Sequence, residues 1–158
     1  MLISHTTELA LQDAAKTELQ TSQFYRHLAT QCKAIGFFGA AKYYRAESKD
    51  EIKHYNLIAD YLNDSGSVAE TPDIMGMPEK ITALKQTLDM SYNLMVEIGK
   101  KYEQWYSIVD PTTARFFLQF LDIQRKAVGY YADQIQRYNI VANDPAGILL
   151  LDQELGNS

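Results

Sequence analysis

The stretch AESKDEIKHYN, residues 46–56, carries helical periodicity but places charge on the side where a helix should be apolar. Spacing of three and four aligns Ala40, Tyr44, Glu47, Glu51, His54, Ile58 and Tyr61 along one stripe. Two carboxylates and an imidazole thus share a face with the residues that bury the helix. Lone buried charges are too costly to persist, so groups on other helices must meet them.

Working outward, helical patterns cover 5–34, 40–63, 79–109 and 112–140, with a short fifth at 145–155. Gly36 and Gly39, then Gly66, Pro72, Gly76 and Pro78, then Pro111, then Pro145 and Gly147 punctuate them. Asp110-Pro111 and Asp144-Pro145 each put a capping acid before a proline suited to a first helical turn. The loop 64–78 could extend roughly 45–50 Å, more than the roughly 36 Å of the helix before it. The expected fold is all-α: one domain over 1–158, a four-helix bundle with one long crossover and a short fifth C-terminal helix.

The other stripes run Leu11, Ala15, Glu18, Ser22, Tyr25, Ala29, Cys32; then Leu84, Leu88, Ser91, Met95, Ile98, Tyr102, Trp105; then Phe117, Leu121, Gln124, Val128, Tyr131, Ile135. They are apolar at their ends and polar at mid-height, which implies one shared polar site inside the bundle. Glu51 and His54 form Glu-x-x-His one turn apart, and Glu18 adds a third group from the neighbouring helix. Carboxylates with one imidazole suit iron or manganese. A metal-free network, with Glu18 and Glu51 held by His54, Tyr25 and Arg125, accounts for the same pattern.

Composition narrows the function. A net charge of −5 and no visible basic patch argue against nucleic acid. No apolar run reaches the roughly 20 residues of a membrane span. The lone Cys32 fits a reducing compartment and reads as a buried structural thiol. The start, MLISHTTELALQDAAK, lacks a signal-peptide pattern, so a cytoplasmic location is expected.

Four segments in order resemble a ferritin of the bacterial and cyanobacterial non-haem type. ELQTSQFY (18–25) resembles its first-helix Glu with a Tyr seven residues later, and AKYYRAESKDEIKH (41–54) its second-helix Glu-x-x-His segment. YLNDSGSV and PDIMGMP resemble its crossover, and NDPAGILLLDQELG its fifth helix. The resemblance implies an iron-storing homo-oligomer, a 24-subunit cage, that oxidises Fe2+ with O2 or peroxide. It further implies that Glu18, Glu51 and His54 hold iron, that Tyr25 donates an electron, and that the apolar fifth helix is an assembly contact. Ile52 stands where haem-binding relatives carry Met, so no haem is expected.

The resemblance also exposes a departure. The family pairs a third-helix Glu with a fourth-helix Gln 33 positions on, which fits Ser91 with Gln124 or Tyr92 with Arg125. The first register keeps Gln124 as a metal ligand and lies on the stripes; in both, the third-helix carboxylate is missing. Glu47, one turn from Glu51, and Asp50, leading toward the cage interior, are candidates to compensate. The expected centre is therefore degenerate and slow, and a non-catalytic cage subunit is the rival reading.

Overall fold

The computed structural model describes residues 2–158, which form five helices: α1 (His5–Ala34), α2 (Phe38–Asp64), α3 (Leu84–Ile108), α4 (Pro111–Val141) and α5 (Pro145–Gly156). α1 and α2 form one antiparallel hairpin and α3 and α4 another, and residues 65–83 cross the length of the bundle between them. Tight turns at Gly36 and Gly66 use positive φ, at 93° and 83°. The expected architecture is observed, with small differences at element ends.

The third helix begins at Leu84 and not near 79. Gln86 causes the delay: its side chain accepts the Thr82 N–H and donates to the Lys80 carbonyl, satisfying extended backbone that a longer helix would have used. Polar side chains of α1 hold the rest of the crossover. Gln12 donates to the Val68 carbonyl and accepts from Glu70 N–H, Gln20 makes the same two-point pairing with Met75, and Gln31 accepts from Ile81 N–H. His27 donates to the Glu79 carbonyl. The long loop is thus a strand-like strap fixed along α1.

The two expected capping acids behave differently. Asp144 accepts from Ala146 N–H and caps α5. Asp110 makes no such bond to α4; its carboxylate accepts the Ser4 N–H instead and joins the start of α1 to the start of α4.

α5 docks on the first turn of α2. That turn has no cap of its own, and Asp152 supplies one, accepting from Gly39 N–H at 3.1 Å and Ala40 N–H at 2.7 Å. Leu151 and Leu155 are buried beside it, whereas Leu149 and Leu150 remain more than half exposed. Only glycine permits this approach, since a Cβ on Gly39 would lie 1.9 Å from the Asp152 carbonyl oxygen. Gly39→Ala is expected to cost roughly 2–4 kcal/mol and to free α5, read as a lower Tm and fast amide exchange over 145–156. Gly76→Ala, at a position with open space, is the neutral control.

Candidate metal centre

The stripe residues of α1 and α3 are buried as the periodicity requires, except Trp105, which is half-buried. Two aromatic tiers bracket the polar layer. Below it Tyr102 stacks on Phe120 at 5.3 Å and packs against Phe117; above it Tyr25 stacks on Tyr44 at 5.8 Å. These tiers shield the layer from water and strengthen its electrostatics.

Within the layer Glu18, Glu51 and His54 converge, each offering one ligand atom within 4.8 Å of the others. His54 Nδ1 is 3.2 Å from Glu51 Oε2 and 3.6 Å from Glu18 Oε2. Glu18 is 1% exposed and Glu51 4%. Tyr102, read from the sequence only as a core residue, donates its hydroxyl proton to Glu18 Oε1.

Protonation follows from crowding. Burial and then the neighbouring Glu18 charge push the Glu51 carboxyl well up. Burial also pushes Glu18 up, but hydrogen bonds with Glu51, His54 and Tyr102 outweigh it and hold Glu18 below its ordinary value. Burial opposes a charge on His54, yet the two carboxylates overcome it and raise the imidazole to about 10. Without metal, the layer favours a Glu18 carboxylate beside a His54 cation and resists a second negative charge on Glu51.

The other candidates are placed apart from this trio. Asp50 is half exposed and pairs with Lys53 at 3.3 Å. Glu47 is half-buried beside the tyrosines, and burial, then Asp50, raises its carboxyl to about 7. Against an ordinary value of 4.5, ionising Glu47 costs stability as pH rises from 4.5 to about 7, and the loss persists above. Glu47→Gln is therefore expected to raise stability at pH 8 by roughly 1 kcal/mol, discounted for partial exposure, and to give no gain at pH 4.5 in paired thermal melts.

The structure does not bring Ser91 level with Gln124, nor Arg125 into the core. Ser91 faces Tyr44 and Thr87: burial raises the Tyr44 hydroxyl above its ordinary value, countered in part by Thr87 and Ser91, but the hydroxyl gives its bond to Thr87 at 3.0 Å and Ser91 Oγ has no well-formed bond. Gln124 instead lies beside Gly99, about 12 Å further along the α3 axis than Ser91. Arg125 is exposed and bonded to Asp122, and so takes no part in the buried network. Gln124 itself is 3% exposed and its Oε1 has no partner, an orphan acceptor that a cation or water would satisfy. It lines a cavity of about 350 Å³ between α3 and α4 with Met95 and Gly99.

On α3, Tyr102 reaches Glu18 directly and Met95 reaches Tyr25. Tyr25 donates to the Met95 sulfur at 3.6 Å and accepts from Tyr131 at 2.9 Å, and Tyr131 accepts from Tyr43 at 3.2 Å. Tyr25 is thus bonded to no carboxylate. Burial, and then Glu51, raise its pKa well above the ordinary value, so Glu51 and Met95 both crowd one hydroxyl. The acids of α3, Asp89, Glu97 and Glu103, and those of α4, Asp122 and Asp133, are all outside the core. Among the described residues, every buried acid near the centre comes from α1 and α2.

A long-crossover bundle with Glu-x-x-His and a facing Glu in its core defines the class of helical-bundle proteins with a carboxylate-rich internal site. The family model described as ferritin, a ferritin-like domain, matches residues 8–141. A probable bacterial non-heme ferritin-like protein of Haemophilus influenzae is 23% identical over 99% of this chain and 97% of its own length. A bacterial non-heme ferritin of Staphylococcus aureus is 24% identical, covering 93% of this chain and 91% of its own. Among solved structures, the open pore ferritin of Archaeoglobus fulgidus superposes with a TM-score of 0.94 at 18% identity, over 98% of this chain and 97% of that one. The chain belongs to the ferritin family.

Proposed function

We propose that this chain is a single-domain subunit of an iron-storing homo-oligomeric ferritin shell, and that each subunit binds one Fe2+ firmly as substrate. Glu18, Glu51 and His54 hold that ion, and the unpartnered Gln124 Oε1 is the neutral oxygen we assign to a second. The observation that carries the reading is the origin of the buried acids: α1 and α2 supply them, while α3 offers Tyr102 and Met95. A second ion lacking an anionic ligand from α3 binds weakly, and Fe3+ there is poorly stabilised. Oxidation by O2 or peroxide is accordingly slow. The relatives in Haemophilus influenzae and Staphylococcus aureus, a probable bacterial non-heme ferritin-like protein and a bacterial non-heme ferritin, support the ferritin role, and the half-exposed Leu149 and Leu150 of α5 supply an apolar contact for assembly into a cage, which we put at 24 subunits.

Tyr25 is a poor electron donor in this setting. Oxidising a phenol at neutral pH requires its proton to leave, and its acceptor is the Met95 thioether, a weak acceptor and no base. Glu47 and Asp50 act as transit groups toward the shell's inner surface, not as ligands of the first ion.

A non-catalytic shell subunit is the second reading, favoured by one observation: the metal-free trio is already a satisfied network, with Tyr102 on Glu18 and His54 between both carboxylates. Glu51→Ala separates the two. In the metal-binding account, calorimetric titration with Mn2+ or anaerobic Fe2+ loses at least a hundredfold in affinity. Undiminished binding in that variant would place iron elsewhere and leave the trio as a structural network.

A further inference from the structure

Five cations gather on the face where the second half of α1 meets the first half of α2: Arg26, Lys33, Lys42, Arg45 and Lys49. They rim two adjoining depressions of about 600 and 320 Å³ that share Arg45 and Lys49, and no carboxylate lines either one. Among the described residues none of the five is in an ion pair, although Lys53, Lys85, Lys101, Arg125, Lys126 and Arg137 all are. A chain with 15 cations and 20 acids has concentrated a third of its cations where acids are lacking. Such spacing is unfavourable by itself, because Lys42, Arg45 and Lys49 follow one another at helical intervals of three and four, where like charges repel. A bound counter-charge would relieve that repulsion.

We propose that this groove is a binding site for a phosphate-class polyanion, a short chain of linked phosphates. Length and donor type select the ligand. Arg26 to Lys33 on one wall and Lys42 to Lys49 on the other each span roughly 10 Å, more than one phosphate covers. Arg26 and Arg45, from opposite walls, offer the planar forks that bind phosphate oxygens in pairs, and the lysines add point charges. Between the charges lie small residues, Ala41 and Ala46 in the larger depression and Ala29 and Ser48 in the smaller, with the exposed Phe38 ring at one end. Small residues let an extended anion lie close to both walls, and the ring offers a surface for a base if the phosphates belong to a nucleotide. The site uses none of the residues of the metal centre, so it stands whether or not the trio binds iron.

The test is calorimetric titration of the full assembled chain with tripolyphosphate, ATP and a short DNA duplex, at low and at physiological salt. Tripolyphosphate is expected to bind saturably at one per subunit and to weaken as salt rises. Arg45→Glu with Lys49→Glu should weaken it at least tenfold, and Arg45→Gln with Lys49→Gln by a smaller factor, with helicity and Mn2+ binding unchanged. Lys16→Glu with Arg115→Glu, two exposed cations away from the groove, makes the same change in net charge and should leave binding intact. Equal affinity for ATP and tripolyphosphate identifies an inorganic chain as sufficient, and tighter ATP binding identifies a nucleotide. Equal losses in the groove and control pairs, no saturable tripolyphosphate binding, or binding of DNA alone would each overturn the proposal.

Discussion

Met95→Glu is expected to raise metal stoichiometry from one ion to two per subunit, with the second bound at least tenfold more tightly than in the unaltered chain. The Met95 sulfur sits 3.6 Å from the Tyr25 hydroxyl, whose pKa burial and then the Glu51 charge raise. A carboxylate there would accept the Tyr25 proton, face Glu51 and supply the anionic ligand that α3 now lacks. The metal-free variant must bury another acid beside Glu51, which costs roughly 1–3 kcal/mol, or a Tm lower by about 2–12 °C. Saturating divalent metal should recover that loss. Ser91→Glu is the discriminating control. Ser91 is fully buried against Tyr44 and Thr87, away from the trio, so a carboxylate there should destabilise with and without metal. Anaerobic titration with melting curves reads both variants, and a second ion gained by Ser91→Glu would contradict the assignment of Met95 as the α3 position facing Glu51.

Metal binding should be steeply pH dependent. Near neutral pH the metal-free centre carries a proton on His54, raised to about 10, while burial and the neighbouring Glu18 charge resist ionisation of Glu51. A bound cation displaces the His54 proton and any that Glu51 holds, so one to two protons are released per ion and affinity rises about 10–100-fold per pH unit between pH 6 and 8. Titration in buffers of different ionisation enthalpy counts those protons. Stability without metal moves the other way. His54 titrates at an ordinary 6.5 when unfolded and about 10 when folded, so its contribution is complete below 6.5 and vanishes as pH climbs through 10. The melting temperature of metal-free protein should therefore fall from pH 7 to 10, while metal-loaded protein holds level. A flat profile for both would mean that His54 is neutral in the fold.

Much of this was legible in the sequence, and the exceptions share a cause. Periodicity and Gly/Pro punctuation located five helices and the crossover, because those features depend on local geometry. The same stripes placed Glu18, Glu51 and His54 on facing surfaces of α1 and α2, and the short turn at 35–37 leaves little freedom in how those two helices align. The height of α3 and α4 against them was not legible. A spacing of 33 between two stripes fits Ser91 with Gln124, but it does not say at what level either helix stands. That level is set by contacts distant in sequence: Tyr102 on Glu18, Tyr25 on Met95 and Phe120 against His54 at 5.9 Å. Periodicity therefore identifies Tyr102 only as a core residue, although a hydroxyl at the end of a buried stripe signals a bond to be made. Asp152 was hidden for a similar reason, since a cap supplied by another helix leaves no local pattern.

The central claim is that one iron position is firmly built and the second is not. Crystals soaked anaerobically in Fe2+, with anomalous scattering recorded at the iron edge, test it most directly. The predicted result is one strong peak held by Glu18, Glu51 and His54, with density near Gln124 weak or absent. Two peaks of equal occupancy, bridged by Glu51 and each fully ligated, would contradict it.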